Sequence, residues 1–119
     1  MNVEVSKVEP KQIWKNFVLL NEVPRPSKKE EKVIEFLQLF ANKNNLDYKR
    51  DDIGNLVIIK DASIGMSNRQ TVVLQSHVDM VHEKNNDVDF DFLTSGIKMY
   101  VDGDWIKADG TTLGADNGL

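Results

Sequence analysis

Two short stretches hold the residues whose types and spacing suit chemistry. In Gln75-Ser76-His77-Val78-Asp79, one of only two histidines stands two residues before a carboxylate, directly after the apolar run Thr71-Val72-Val73-Leu74. In extended backbone, side chains at i and i+2 point to the same side, so His77 and Asp79 emerge together. A metal-binding imidazole uses this pairing: one ring nitrogen faces the cation while the other donates to a carboxylate that fixes tautomer and orientation. The second stretch, Gly110-Thr111-Thr112-Leu113-Gly114-Ala115-Asp116-Asn117-Gly118, carries a single carboxylate among three glycines. Glycines let a backbone approach an ion closely, so this loop would present Asp116 at short range, where one carboxylate can bridge two cations. A His-x-Asp by itself is commonly a solvated loop pair; the second stretch is what raises the metal reading above it.

The elements that must position these residues follow from periodicity. A first helix is expected from Glu9-Pro10 to about Asn21, with Pro10 at its first position and Ile13, Trp14, Phe17 and Leu20 on one buried face. Pro24-Arg25-Pro26 breaks it. Ser27-Lys28-Lys29-Glu30 reads as a capping box that opens a second helix, whose apolar face is Val33, Phe36, Leu37 and Phe40 and which ends at Asn42-Lys43-Asn44-Asn45. On this reading Arg25 and Ser27 are structural rather than substrate contacts. Leu46–Arg50 and Asn55–Lys60 form paired strands around an Asp-rich turn, and Asp61–Arg69 is a surface loop. The apolar run Gln70–Gln75 suits a strand buried on both faces, which would place His77 and Asp79 outside its carboxyl end, where α/β sheets collect ligands. Ile97–Val101 and Trp105–Lys107 alternate around Asp102-Gly103 as a hairpin leading into the glycine-rich loop. The fold class is therefore α/β: a mixed sheet with two N-terminal helices packed on it.

Composition narrows the function. With 119 residues, a formal charge of -4 and no cysteine, the chain is one modest domain or part of a larger one. The absence of cysteine excludes disulfides and thiolate zinc sites and fits a cytoplasmic setting. Lys28-Lys29 and Lys49-Arg50 are short basic pairs beside acids, not the clustered basic face that nucleic acid requires. The N-terminus lacks a secretory pattern, and the apolar runs are too short to span a bilayer. Asp87 to Asp91 suggests a calcium loop, but the sixth and twelfth places hold Phe92 and Lys98 instead of Gly and Glu. Ser76, His77 and Asp79 lie too close together to form a hydrolase triad, and the glycine-rich loop lacks the Lys-Ser/Thr of a P-loop.

Ser76-His77-Val78-Asp79-Met80-Val81, Glu83-Lys84-Asn85-Asn86-Asp87, Asp102-Gly103-Asp104-Trp105 and the loop from Gly110 to Gly118, together with Pro24–Glu31 and Asp52–Asn55 upstream, resemble the aminoacyl-histidine dipeptidases (Xaa-His dipeptidases, peptidase D) of the di-zinc exopeptidases. The resemblance implies that His77 is a zinc ligand, that Asp79 is the catalytic outer partner holding its imidazole, and that Asp116 bridges two zinc ions. It implies hydrolysis of Xaa-His dipeptides by a zinc-bound water, a cis peptide at Asp116-Asn117, and a homodimer formed through a lid domain that this chain lacks. The family's general-base glutamate lies downstream of the bridging Asp, so residues 1–119 are expected to be the N-terminal portion of a longer catalytic domain, inactive alone. His82 is expected to be a loop imidazole. A related di- or tripeptidase, or a non-catalytic α/β module, is the alternative.

Overall fold

Helix α1 spans Lys11–Asn21 and helix α2 spans Glu31–Lys43, in a computed structural model that describes residues 2–116. Pro10 sits just before α1 instead of inside it, and the Glu9 carboxylate accepts the Lys11 N–H at 3.1 Å, satisfying one of the orphan donors of the first turn. Phe17 and Val18 turn inward, but Ile13 is 62% exposed. It lines an open groove of about 560 Å³ between α1 and the later hairpin, with Trp14 and Trp105.

The expected capping box does not form. Helix α2 begins at Glu31, the Glu30 carboxylate takes the N–H of Lys28, and the Ser27 hydroxyl turns away to Asp79. The buried residues of α2 are Val33, Ile34 and Ala41, whereas Phe40 is exposed. The stripe is rotated from the expected one because α2 packs against strand β1, Asp47–Arg50. This strand pairs antiparallel with β2, Leu56–Ile59, with Asp47 opposite Ile59 and Arg50 opposite Leu56. Asp51 makes the turn, its carboxylate accepting the N–H groups of Ile53, Gly54 and Asn55.

Strands β3, Met99–Asp102, and β4, Trp105–Ala108, form the second hairpin. Asp102 pairs with Trp105, so the turn is Gly103-Asp104, one residue beyond the expected centre, with Gly103 at φ 59°. Glycine first in a two-residue loop is the type II′ arrangement that matches strand twist. Among the described residues, helices and strands combine as expected of the α/β class. The strands of the described residues form two antiparallel pairs, and parallel pairing there is confined to a single bridge between Pro26 and Met80.

Residues Gln70–Gln75 depart from expectation. They form no strand, and Val72, Val73 and Leu74 are 78%, 83% and 92% exposed. A continuous apolar run suits a strand only where neighbours cover both faces, and among the described residues none do. The shape is correspondingly open: the radius of gyration is 16.2 Å, against about 13.5 Å for a compact domain of this length.

The core lies at the other end of the chain's packing. Val5, Phe17, Val18, Met80, Ile97 and Met99 form one buried cluster. Asn2 closes it, donating through Nδ2 to the Ile97 carbonyl at 3.1 Å and accepting the Met99 N–H at 2.8 Å. Both contacts replace water that a buried amide would otherwise need. No helix among the described residues is long and apolar enough to cross a membrane.

Candidate metal centre

Arg25-Pro26-Ser27 and Val78-Asp79-Met80 run side by side. Met80 N–H donates to the Arg25 carbonyl and Ser27 N–H to the Met80 carbonyl, each at 3.0 Å. This ladder puts the end of the His77 segment at fixed distance from the Pro-Arg-Pro break. A second set of bonds brings in the glycine-rich loop: Thr112 N–H donates to the Glu83 carbonyl at 2.9 Å and Asn85 N–H to the Gly110 carbonyl at 2.9 Å. The Thr112 hydroxyl adds a 2.7 Å bond to the Val81 carbonyl.

Arg25 ties all of these together. Its guanidinium is buried, donating from Nη1 to the Val78 carbonyl at 3.1 Å and from Nη2 to Asn21 Oδ1 and the Gly114 carbonyl, both at 2.9 Å. Its Nε is buried and has no hydrogen-bond partner among the described residues. Burial pulls the guanidinium below its usual value, while the charges of Asp116 and Asp79 act in the opposite sense. Val78 lies between His77 and Asp79, and Gly114 lies two residues before Asp116, so one cation anchors both stretches.

The result is a converging pair. His77 Nδ1 lies 3.0 Å from Asp79 Oδ1 and 3.1 Å from the Asp79 carbonyl, while Nε2 lies 3.3 Å from Asp116 Oδ2. Both partners of Nδ1 are acceptors, so in the neutral ring Nδ1 carries the proton and Nε2 presents its lone pair toward Asp116. Two donors held about 2.0–2.1 Å from one zinc at the tetrahedral angle are about 3.3 Å apart, so the donor pair fits such an ion. The side chains of His77 and Asp79 are half-buried, and that of Asp116 is 72% exposed. Among the described residues no group of three or more His, Cys, Asp or Glu side chains is arranged around one metal-sized position.

Desolvation, the largest single influence on His77, works against its charge. The hydrogen bonds of Asp79 and the charge of Asp116 outweigh it, so the imidazole sits above its ordinary value. The Ser27 hydrogen bond, followed by the His77 contact, holds the Asp79 carboxyl below its ordinary value against the effect of burial. A raised imidazole value means that protonated His77 contributes stability at pH below the ordinary value of about 6.5, and that this contribution is lost as pH rises through the raised value. An NMR titration of the metal-free chain should therefore give a His77 midpoint above that of an unstructured peptide, falling in Asp79→Asn. A midpoint unmoved by that substitution would contradict the Asp79 contact.

His77, Asp79 and Asp116 thus meet, although Asp116 is 39 residues from His77. His82 does not join them; its ring packs edge-on against Phe92 at 5.7 Å. The Asp116-Asn117 peptide lies outside the described residues. Sequence reasoning assigned Ser27 to a helix cap and Arg25 to a chain break. The nearest signal of another role was the crowding of an arginine and a serine into one proline-interrupted segment.

No family model matches the chain. It is 46% identical over 116 residues to the cytosol non-specific dipeptidase of Escherichia coli (strain K12), a match that takes in 98% of this chain. The solved structure of aminoacylhistidine dipeptidase from Vibrio alginolyticus superposes with a TM-score of 0.90 at 44% identity, over 94% of this chain. The chain spans about a quarter of each relative's length, 24% and 23% respectively.

Proposed function

We propose that this chain carries part of the divalent-metal site of a dipeptidase, with His77 and Asp116 as metal ligands and Asp79 holding the imidazole. The observation that supports this is the 3.3 Å approach of His77 Nε2 to Asp116 Oδ2, with the opposite ring nitrogen on a carboxylate. Zinc, when bound, supplies Lewis-acid polarisation of a peptide carbonyl and brings the pKa of water toward neutrality. The chain's own residues fix the tautomer of His77, hold countercharge beside it through Asp79, and present the exposed Asp116 carboxylate, which would serve as the second ligand. The substrate class is unblocked dipeptides, including Xaa-His; the names of the two relatives divide between broad and histidine-directed specificity. The name of the first relative supports a cytoplasmic location.

Zinc titrated into the chain by calorimetry should bind, and His77→Ala and Asp116→Ala should each abolish the binding. Binding that survives both substitutions would put the metal elsewhere and sink the assignment. With zinc and a panel of dipeptides, the 119-residue chain alone should show no turnover, because two ligands without a general base do not complete a hydrolytic centre.

A further inference from the structure

We propose that Ser27 is a positioning residue for the metal pair, acting through Asp79; this rests on the metal reading above. Ser27 Oγ lies 2.5 Å from Asp79 Oδ2, while the other carboxylate oxygen, Oδ1, meets His77 Nδ1 at 3.0 Å. Asp79 is therefore gripped at both ends, and its carboxylate plane is fixed relative to the imidazole. A single bond to His77 would leave the carboxylate free to rotate, since its side chain is 34% exposed and water competes for it.

The hydroxyl can hold the carboxylate because Ser27 is itself held. Its N–H donates to the Met80 carbonyl, and Met80 N–H donates to the Arg25 carbonyl, so the Ser27 backbone is part of the ladder that carries Asp79. Ser27 Oγ also lies 3.0 Å from the Met80 carbonyl, the contact expected of a merely structural serine. A hydroxyl has one proton. The carboxylate is the shorter and charged acceptor, and the Met80 carbonyl already receives the Ser27 N–H, so the proton goes to Asp79. The chain Ser27 to Asp79 to His77 thus sets the direction of the Nε2 lone pair.

Partners of this kind change metal affinity by about 10- to 100-fold when removed. The test is zinc binding followed by NMR at the His77 ring, with thermal melts of each metal-free variant as a check on folding. Ser27→Ala should weaken zinc by about 10-fold, and Ser27→Thr, which keeps the hydroxyl, should restore it. In an Asp79→Ala background, Ser27→Ala should add no further loss, because the residue through which it acts is gone. Wild-type affinity in Ser27→Ala, or an equal loss with and without Asp79, would overturn the proposal. Failure of the unsubstituted chain to perturb the His77 ring on addition of zinc would overturn the metal reading and this role with it.

Discussion

Replacing Arg25 by methionine is expected to destabilise the chain by about 3 kcal/mol or more, at roughly 1 kcal/mol or more for each of three acceptors left without a donor. Those acceptors are Asn21 Oδ1 and the carbonyls of Val78 and Gly114, all satisfied by one buried guanidinium. Methionine fills much of the volume but donates nothing, so the buried Asn21 oxygen and the part-buried carbonyls of Val78 and Gly114 lose their donor. Domains of this size have about 5–15 kcal/mol in total, so urea unfolding should show a large drop in midpoint. Arg25→Lys should recover only part of it, since an ammonium on one stem cannot span acceptors arranged around a planar fork. A loss below about 1 kcal/mol would mean that water reaches these carbonyls and that the arginine is not what joins the two stretches.

Gly114→Ala should act on the same junction from the other side. Gly114 has φ 64°, and a Cβ there would lie 2.7 Å from Met80 Cβ and 3.1 Å from Arg25 Nη2. The left-handed backbone alone costs alanine about 1–2 kcal/mol, and overpacking adds about 1–3 kcal/mol. Met80 Cβ is no flexible chain end, so the loop must shift, carrying Asp116 away from His77. Gly103→Ala provides the comparison, because Gly103 has φ 59° and, among the described residues, nothing within 4 Å of an added Cβ. It should pay the backbone part alone. Equal losses at the two glycines would show that crowding at Gly114 is relieved without cost and that the loop's approach is not tightly determined.

What could be read without a structure was what short-range physics decides. Both hairpins were legible, because Asp51 and Gly103 set their turns from within a few residues. The His77-Asp79 pair was legible because a two-residue offset suffices to put both on one side. The helix α2 stripe was less so: Val33, Phe36, Leu37 and Phe40 and the buried set Val33, Ile34 and Ala41 are neighbouring faces of one cylinder, and only the position of β1 chooses between them. Ser27 shows the limit most clearly. The local rule offered its hydroxyl a backbone donor three residues away, and a carboxylate 52 residues away won. The apolar run Val72–Leu74 gave a sound strand pattern, but burial depends on neighbours that a pattern cannot supply.

Asn2 carries a consequence for how the chain is made. Its amide is buried, and its two partners, the Ile97 carbonyl and the Met99 N–H, are 95 and 97 residues further on. At the usual ~5–20 residues per second of synthesis, the segment around Asn2 waits about 5–20 seconds on the ribosome for the groups that complete it. Helix α1 can coil in that interval, but Phe17 and Val18 have no closed core to enter until Ile97 and Met99 emerge. A segment translated well before its partners is thus among the last to be locked, and a nascent chain stalled short of the second hairpin would hold the Asn2 segment open.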